Sequence, residues 1–220
     1  MTTIHAFKEG DARRTAFGYI TERSPRLDRV QNAISAGCGA IAGVSILAIV
    51  FLTLLEVFLR TVFSEPQGWS VSFIEKYLMT ATAFFGIVTA YRAGAHIAVV
   101  SLYNKFGPRP QKVLMVLAHV LVLVGMLTMG IAGLISTEFS ISTGEGPVPG
   151  SSELAIPSWL WRSIVPVSML LGSIVVLIDL LREVFSPWNG PVTDYDPGDE
   201  VDAVLNELEV GLPTQKGVGR

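Results

Sequence analysis

The side chains of this chain that could do chemistry are few, and they lie at the ends of apolar segments. Glu56 and Arg60 are four residues apart, the spacing at which an acidic and a basic side chain can pair on one helix face. Arg92 and His96 have the same spacing after the next apolar segment. Because ionisable side chains are costly to place beside hydrocarbon, we regard these residues as candidates for helix packing or for contacts with a partner protein.

The histidines and the single cysteine limit the cofactor chemistry that the chain could support. Cys38 cannot form an internal disulfide, and the sequence has neither a C-x-x-C pair nor a Cys/His metal spacing. His96 and His119 could ligate a haem between helices, but His119 would lie about 10 Å deeper in its helix than a boundary residue. Since nucleophile-elbow, zinc and phosphate-loop motifs are missing from the sequence, we expect neither an enzyme nor a bound cofactor or metal.

Four apolar stretches carry these residues and predict that the chain spans a membrane. The mean hydropathy is +0.51 and the apolar residues are clumped. A hydrocarbon core about 30 Å thick needs about 20 apolar helical residues to cross it. A soluble protein of 220 residues could not surround four such helices. We therefore predict an all-α membrane protein whose four transmembrane helices lie at about residues 39–60, 71–94, 113–135 and 160–181.

The charge distribution predicts how the chain is oriented. Thirteen of the sixteen Lys and Arg residues lie before the first span, between Arg92 at the end of the second span and the start of the third, or after the fourth. Because Lys and Arg near short loops favour the cytoplasmic side, both termini should be cytoplasmic. The domains are then a flexible N-terminal tail at 1–32, a transmembrane domain at 33–185 and an acidic, disordered tail at 186–220. The connections 61–72 and 136–158 should face outward.

Small, aromatic and charged residues complete the set of candidate contacts. Gly39 and Gly43 form a small-xxx-small face that would let another helix approach closely. Glu56 and Arg60 either anchor the end of a helix, or, with Glu75 or Lys76, set the packing of the first two spans or meet a partner at the outer face. The candidate packing and partner-contact residues are Glu56, Arg60, Trp69, Glu75, Lys76, Arg92, His96, Gly39 and Gly43.

The order of these features resembles the small membrane subunit of tripartite ATP-independent periplasmic (TRAP) transporters, of the DctQ type. The resemblance covers roughly residues 30–185 and is most specific over 86–97, which contains Arg92-Ala-Gly-Ala-His96. Arg60 fits a basic residue that follows the first helix in such proteins, and Trp69 fits a tryptophan that precedes the second. On the basis of these residues, the chain resembles a component of a transporter.

This resemblance implies a role and a set of partners. In the family, a periplasmic binding protein delivers a small organic acid to a large permease subunit, which moves it with a sodium gradient. The small subunit would be a scaffold in the bacterial inner membrane, in a stable complex with the large subunit and in transient contact with the binding protein. Membrane lipid is the other expected partner, whereas a net charge of −3 argues against nucleic acid. A haem-anchoring cytochrome subunit and a self-contained small transporter or channel are the alternatives.

Overall fold

The computed structural model of the protein describes residues 12–15, 17–21, 24–64, 67–93, 106–147, 154–188, 190 and 192–193. Within these residues, four helical segments are long and apolar enough to cross a membrane, which confirms the predicted architecture. The helices are α1 (Pro25–Val62), α2 (Gly68–Phe73), α3 (Thr80–Arg92), α4 (Pro108–Ser142), α5 (Trp159–Arg162) and α6 (Ile164–Phe185), with a π-helical segment (Ile74–Met79) between α2 and α3. A short antiparallel hairpin of β1 (Ala12–Thr15) and β2 (Gly18–Thr21) precedes α1.

The helices are longer than the apolar stretches that predicted them. α1 begins at Pro25, where a proline fits the first helical turn, and its 38 residues span about 57 Å. The predicted tail 1–32 therefore contains the hairpin and the first turns of α1. Hydropathy misses these turns because Asp28 and Gln31 are polar yet fully buried against other helices. At its far end α4 continues to Ser142, so the predicted outer connection 136–158 begins with helix.

The bundle has two ends, which we name by the chain segments found there. The tail end is where α1 begins and α6 ends, and the loop end is where α1 ends and α6 begins. Between them α1 packs on α3, α3 on α6, and α6 on α4. The buried apolar side chains are Cys38, Ala42, Ala81, Phe85, Val88, Met126, Met169, Val175 and Val176. Large apolar side chains such as Leu47 and Phe51, 71% and 65% exposed, cover the outside, as a lipid-facing surface requires.

Glycines allow α4 and α6 to approach closely. A Cβ atom at Gly133 would lie 2.8 Å from Cδ of Pro166 and 3.2 Å from its backbone nitrogen. At Gly172, a Cβ atom would lie 2.8 Å from Sδ of Met126. In lipid, no hydrophobic force drives helices together. Close packing of their backbones is therefore a main source of helix association. Pro166 is tolerated because it lies in the first turn of α6, where its missing N–H would have no helical partner.

The α4–α6 contact predicts opposite effects for two glycines of α4. Gly133→Ala should lower the free energy of unfolding by about 1–3 kcal/mol, because the ring and backbone of Pro166 cannot rotate away from the added methyl. Gly125→Ala should leave stability unchanged or slightly raised, since nothing lies within 4 Å of its Cβ position and alanine favours helix. Denaturant unfolding in mild detergent, followed by tryptophan fluorescence, measures both. Equal losses for the two variants would contradict the close contact.

Candidate functional site

A buried cluster of four charged side chains joins α1, α3 and α6 at the tail end. Arg92 donates a hydrogen bond to Oδ1 of Asp28 at 2.9 Å, and Arg182 donates to the same oxygen at 2.7 Å. The second terminal nitrogen of Arg92 lies 3.6 Å from Oδ1 of Asp179. The side chains of Asp28 and Arg92 are fully buried and that of Asp179 is 3% exposed, so two carboxylates and two guanidinium groups neutralise each other away from water.

Two amide side chains extend this tail-end cluster. Asn32 accepts a hydrogen bond from Nε of Arg92 at 3.1 Å. Gln31 donates to Oδ1 of Asp179 at 2.8 Å and to the carbonyl of Val175 at 3.0 Å. Because an unpaired charge is costly in a low dielectric, each of these bonds fixes where one helix lies against the next. The chemistry that this arrangement supports is the alignment of three helices.

The sequence identified only Arg92 in this cluster. Asp28 lay in the segment predicted to be a tail, and no pattern in the sequence linked it to a residue 64 positions later. Asp179 did carry a signal, because it is the one charged residue in the apolar run 164–181. An acidic residue inside a predicted span indicates a buried ionic contact by default, and this rule would have identified Asp179.

The β-hairpin covers the cluster. Gly18 is buried with φ +144°, and a Cβ atom there would overlap Oδ1 of Asn32 and lie 2.9 Å from Cγ of Arg92. Only glycine combines this backbone conformation with so close an approach. The hydroxyl of Thr15 donates to the Gly18 carbonyl at 2.9 Å, and Nδ2 of Asn32 lies 3.5 Å from the same hydroxyl. The hairpin is thus part of the packed structure.

The two glycines predicted to form a close-packing face have different surroundings. A Cβ atom at Gly39 would lie 3.1 Å from the ring of Phe17 in the hairpin and 3.3 Å from Thr89 of α3. Thr89 also donates to the carbonyl of Ser35 at 2.9 Å, which holds α3 against α1. Nothing described lies within 4 Å of the Cβ position of Gly43. Gly39 therefore packs inside the chain, and Gly43 lies on its surface.

Of the two histidines considered as haem ligands, His96 lies outside the described residues. His119 is buried in α4, where Nδ1 lies 2.7 Å from the carbonyl oxygen of Met115 and the ring meets Tyr91 edge-on at 6.3 Å. Among the described residues, no group of three or more His, Cys, Asp or Glu side chains could hold a metal ion. The contacts of His119 are those of a packed core residue.

At the loop end, Glu56 joins α1 to the next span. Its Oε2 accepts hydrogen bonds from the backbone N–H of Gln67 at 3.1 Å and from the hydroxyl of Ser70 at 2.9 Å. The expected ion pair with Arg60 is not formed; Arg60 is exposed. The reason is that the unpaired N–H groups at the beginning of α2 attract the carboxylate, whereas a long arginine side chain can reach water.

The remaining predicted residues lie on the second span. Trp69 meets Phe73 edge-on at 6.1 Å, and Phe73 stacks on Tyr77 at 5.1 Å. Glu75 is exposed, whereas Lys76 is partly buried beside the residues that precede α5. Among the described residues, no ion pair joins Glu75 or Lys76 to Glu56.

A second set of tail-end contacts was not predicted. Nζ of Lys112, at the beginning of α4, donates to the carbonyl of Ser186 at 2.8 Å and to that of Pro187 at 3.0 Å. Glu183 accepts from the backbone N–H groups of Val192 at 3.0 Å and Thr193 at 2.9 Å. The beginning of the predicted tail 186–220 is therefore bound to α4 and α6, and the stretch 194–220 lies outside the described residues.

Comparison with known proteins supports the identification of the family. The family model for the DctQ component of tripartite ATP-independent periplasmic transporters matches residues 49–186. No curated protein matches the chain. The matched range contains Arg92, Asp179 and Arg182 of the tail-end cluster, and it contains Glu56 with its two partners at the loop end.

Removing the central cation of the tail-end cluster should destabilise the protein. Arg92→Met leaves Asp28 and Asp179 buried with one cation fewer, so we expect a loss of about 3–5 kcal/mol in the free energy of unfolding. Adding Asp179→Asn should recover part of that loss by removing one carboxylate charge. Arg109→Gln, at an exposed position of α4, is the control. A thermal melt in detergent that gave Arg92→Met the same midpoint as the control would contradict this role.

The hairpin contact makes a separate prediction. Gly18→Val should weaken the docking of the hairpin, because valine disfavours positive φ and its side chain would overlap Asn32. Limited proteolysis of the detergent-solubilised protein should then cut between the hairpin and α1 several-fold faster than in the unaltered chain. Gly37→Val, at a helical position with nothing within 4 Å, is the matched control. Unchanged cleavage of Gly18→Val would show that the hairpin is not held by this contact.

Proposed function

Because the chain belongs to the family of the DctQ component of tripartite ATP-independent periplasmic transporters, we propose that it supports a large permease subunit as a fixed scaffold. The chain is the small membrane component of such a transporter and a multi-pass protein of the bacterial inner membrane. In the proposed function, the large subunit uses a sodium gradient to take up a small organic acid that a periplasmic binding protein delivers.

The observation that carries the scaffold role is the pairing of charges inside the bundle. A membrane protein that carries a solute itself exposes polar groups to a water-filled path, often at broken helices near the middle of the membrane. Here Asp28 of α1 and Asp179 of α6 both contact Arg92 of α3 instead. Such a bundle resists rearrangement, which suits a subunit against which a neighbour moves.

We propose that the outer half of α1 contributes to the contact with the large subunit. Beyond Ser45, no residue of α1 is buried in the described part of the chain. Leu47, Phe51 and Leu54 form an exposed apolar face there, and Gly43 at its edge leaves room for a neighbouring helix. Arg60, which is exposed one turn after Glu56 and on the same side of α1 as Glu56, would pair with an acidic residue of the partner.

The proposed orientation follows from the distribution of Lys and Arg. The tail end would face the cytoplasm, with both termini there, and the loop end would face the periplasm. The connections between α1 and α2 and between α4 and α5 would then help to dock the binding protein. Labelling of a cysteine placed at Ser64 by a membrane-impermeant reagent in whole cells should succeed, and protection of that position would reverse the orientation.

Assembly provides the main test of this function. The chain should co-purify with a co-expressed large subunit in mild detergent, and Arg60→Ala should lower the yield of complex without lowering the stability of the chain alone. Glu56→Gln should lower both, because Glu56 holds the first two spans together. Yields by affinity capture and size exclusion measure the effect, and Arg109→Gln is the control. Solute uptake by vesicles that contain only this chain would contradict the scaffold role.

A further inference from the structure

Two fully buried polar side chains of α1 have an oxygen atom to which no described residue forms a hydrogen bond. These atoms are Oε1 of Gln31 and Oγ of Ser35. The two residues are four positions apart, so their side chains lie on the same face of α1. That face meets α6, where the carbonyl of Val175 accepts a bond from Gln31. It also meets α3, where Thr89 donates to the backbone carbonyl of Ser35. A polar atom without a partner is costly in such a place.

The orientation of the Gln31 amide is fixed by the atoms around its nitrogen. Nε2 lies 3.0 Å from the carbonyl oxygen of Val175 and 2.8 Å from Oδ1 of Asp179. Both of these oxygens are acceptors, so exchanging the nitrogen and oxygen of the amide would bring oxygen against oxygen. Because the amide cannot turn over, Oε1 keeps its direction. It needs a donor that the described part of the chain does not supply.

The hydroxyl of Ser35 differs from those of other buried serines in these helices. Ser45, Ser168 and Ser173 each donate to the carbonyl four residues earlier, at 2.7 or 2.8 Å. A serine that forms this bond is satisfied within its own helix. Oγ of Ser35 bonds neither the carbonyl of Gln31 nor its side chain. It therefore keeps both a proton to donate and lone pairs that can accept.

We propose that a water molecule is bound between Oε1 of Gln31 and Oγ of Ser35. Water can donate to the first oxygen and exchange a second bond with the hydroxyl, and buried waters in proteins bind to such unsatisfied groups. Residues four apart on a helix have Cβ atoms about 6 Å apart. A single water, with two bonds of about 2.8 Å each, bridges polar atoms at about this separation.

The charges beside the site favour water over a cation. Gln31 bonds Asp179, and that carboxylate already has the guanidinium of Arg92 as its counter-charge. One turn further along α1, Cys38 belongs to the apolar core together with Val88 and Val175. The site thus lies where the tail-end cluster of charges gives way to apolar packing. A neutral ligand that both donates and accepts satisfies the two oxygens there without adding a charge.

The first experiment detects the water directly. The chain, which has four glutamines, is labelled with 15N at glutamine and studied in lipid vesicles by solid-state NMR. Magnetisation is transferred from water protons to the side-chain amides at short mixing times, and the signal of Gln31 is assigned by its loss in Gln31→Met. Transfer to Gln31 should occur in the unaltered chain and fall about 3-fold or more in Ser35→Ala, because the water loses one partner.

The matched control is Ser45→Ala, another buried serine of α1 whose hydroxyl bonds its own helix. It should leave the transfer to Gln31 unchanged. The proposal is wrong if the unaltered chain shows no transfer to Gln31, or if Ser35→Ala transfers as efficiently as the unaltered chain.

The second experiment tests whether the site has room for a water. Ser35→Asn has a longer side chain, whose amide N–H can donate to Oε1 of Gln31 from the position of the water. Its thermal midpoint in mild detergent should stay within about 2 °C of the unaltered chain, with the transfer from water lost. Ser35→Ala should lower the midpoint by about 2 to 4 °C, the shift that accompanies the loss of about one hydrogen bond. A larger fall for Ser35→Asn than for Ser35→Ala would show that the space is missing and would overturn the proposal.

A third measurement separates water from a cation. The midpoint of the unaltered chain is compared in sodium chloride and in choline chloride at equal ionic strength. Equal midpoints support a neutral ligand. A higher midpoint in sodium that disappears in Ser35→Ala would show that the two oxygens bind a cation, and the water would be ruled out. All three measurements use this chain alone, so their results do not depend on the proposed function.

Discussion

The structure depends on one constraint: a charge that leaves water must find its opposite within the protein. Asp28 and Arg92 are fully buried where α1 meets α3, and Asp179 brings α6 to the same point. Breaking one of these pairs would leave a buried charge without compensation, which costs several kcal/mol. The three helices therefore have one favourable arrangement at the tail end. The hairpin can pack onto this arrangement because Gly18 has no side chain and fits close to Arg92.

The other contacts hold the bundle by different means at different depths. Glycines bring α4 and α6 together in the apolar middle, where polar contacts would be costly. At the loop end, Glu56 and Arg162 each bind partners on a different helix or connection. The outcome is a small membrane component whose ends are held by charges and whose middle is held by close packing. That combination suits a subunit that keeps its shape while a neighbour changes conformation.

The spans and the family could be predicted because each depends on a local pattern. An apolar stretch of sufficient length must be helical in lipid, whatever else the chain does, so four stretches predicted four spans. The motif that contains Arg92 and His96 predicted the family for a similar reason. The charged contacts were predicted less well: the Glu56–Arg60 pair has the right spacing, yet Glu56 binds Gln67 and Ser70. Helical spacing states which partners are possible, and a helix terminus nearby can offer better ones.

The sequence by itself determined the number of membrane-spanning segments and the family. Only the tertiary structure decided which charges meet and where α1 begins. The physical reason is that hydropathy averages over neighbours in the chain, whereas a salt bridge depends on a distance across space. Asp28 and Asp179 are 151 residues apart in the sequence and contact the same arginine, so their pairing is a property of the packed bundle.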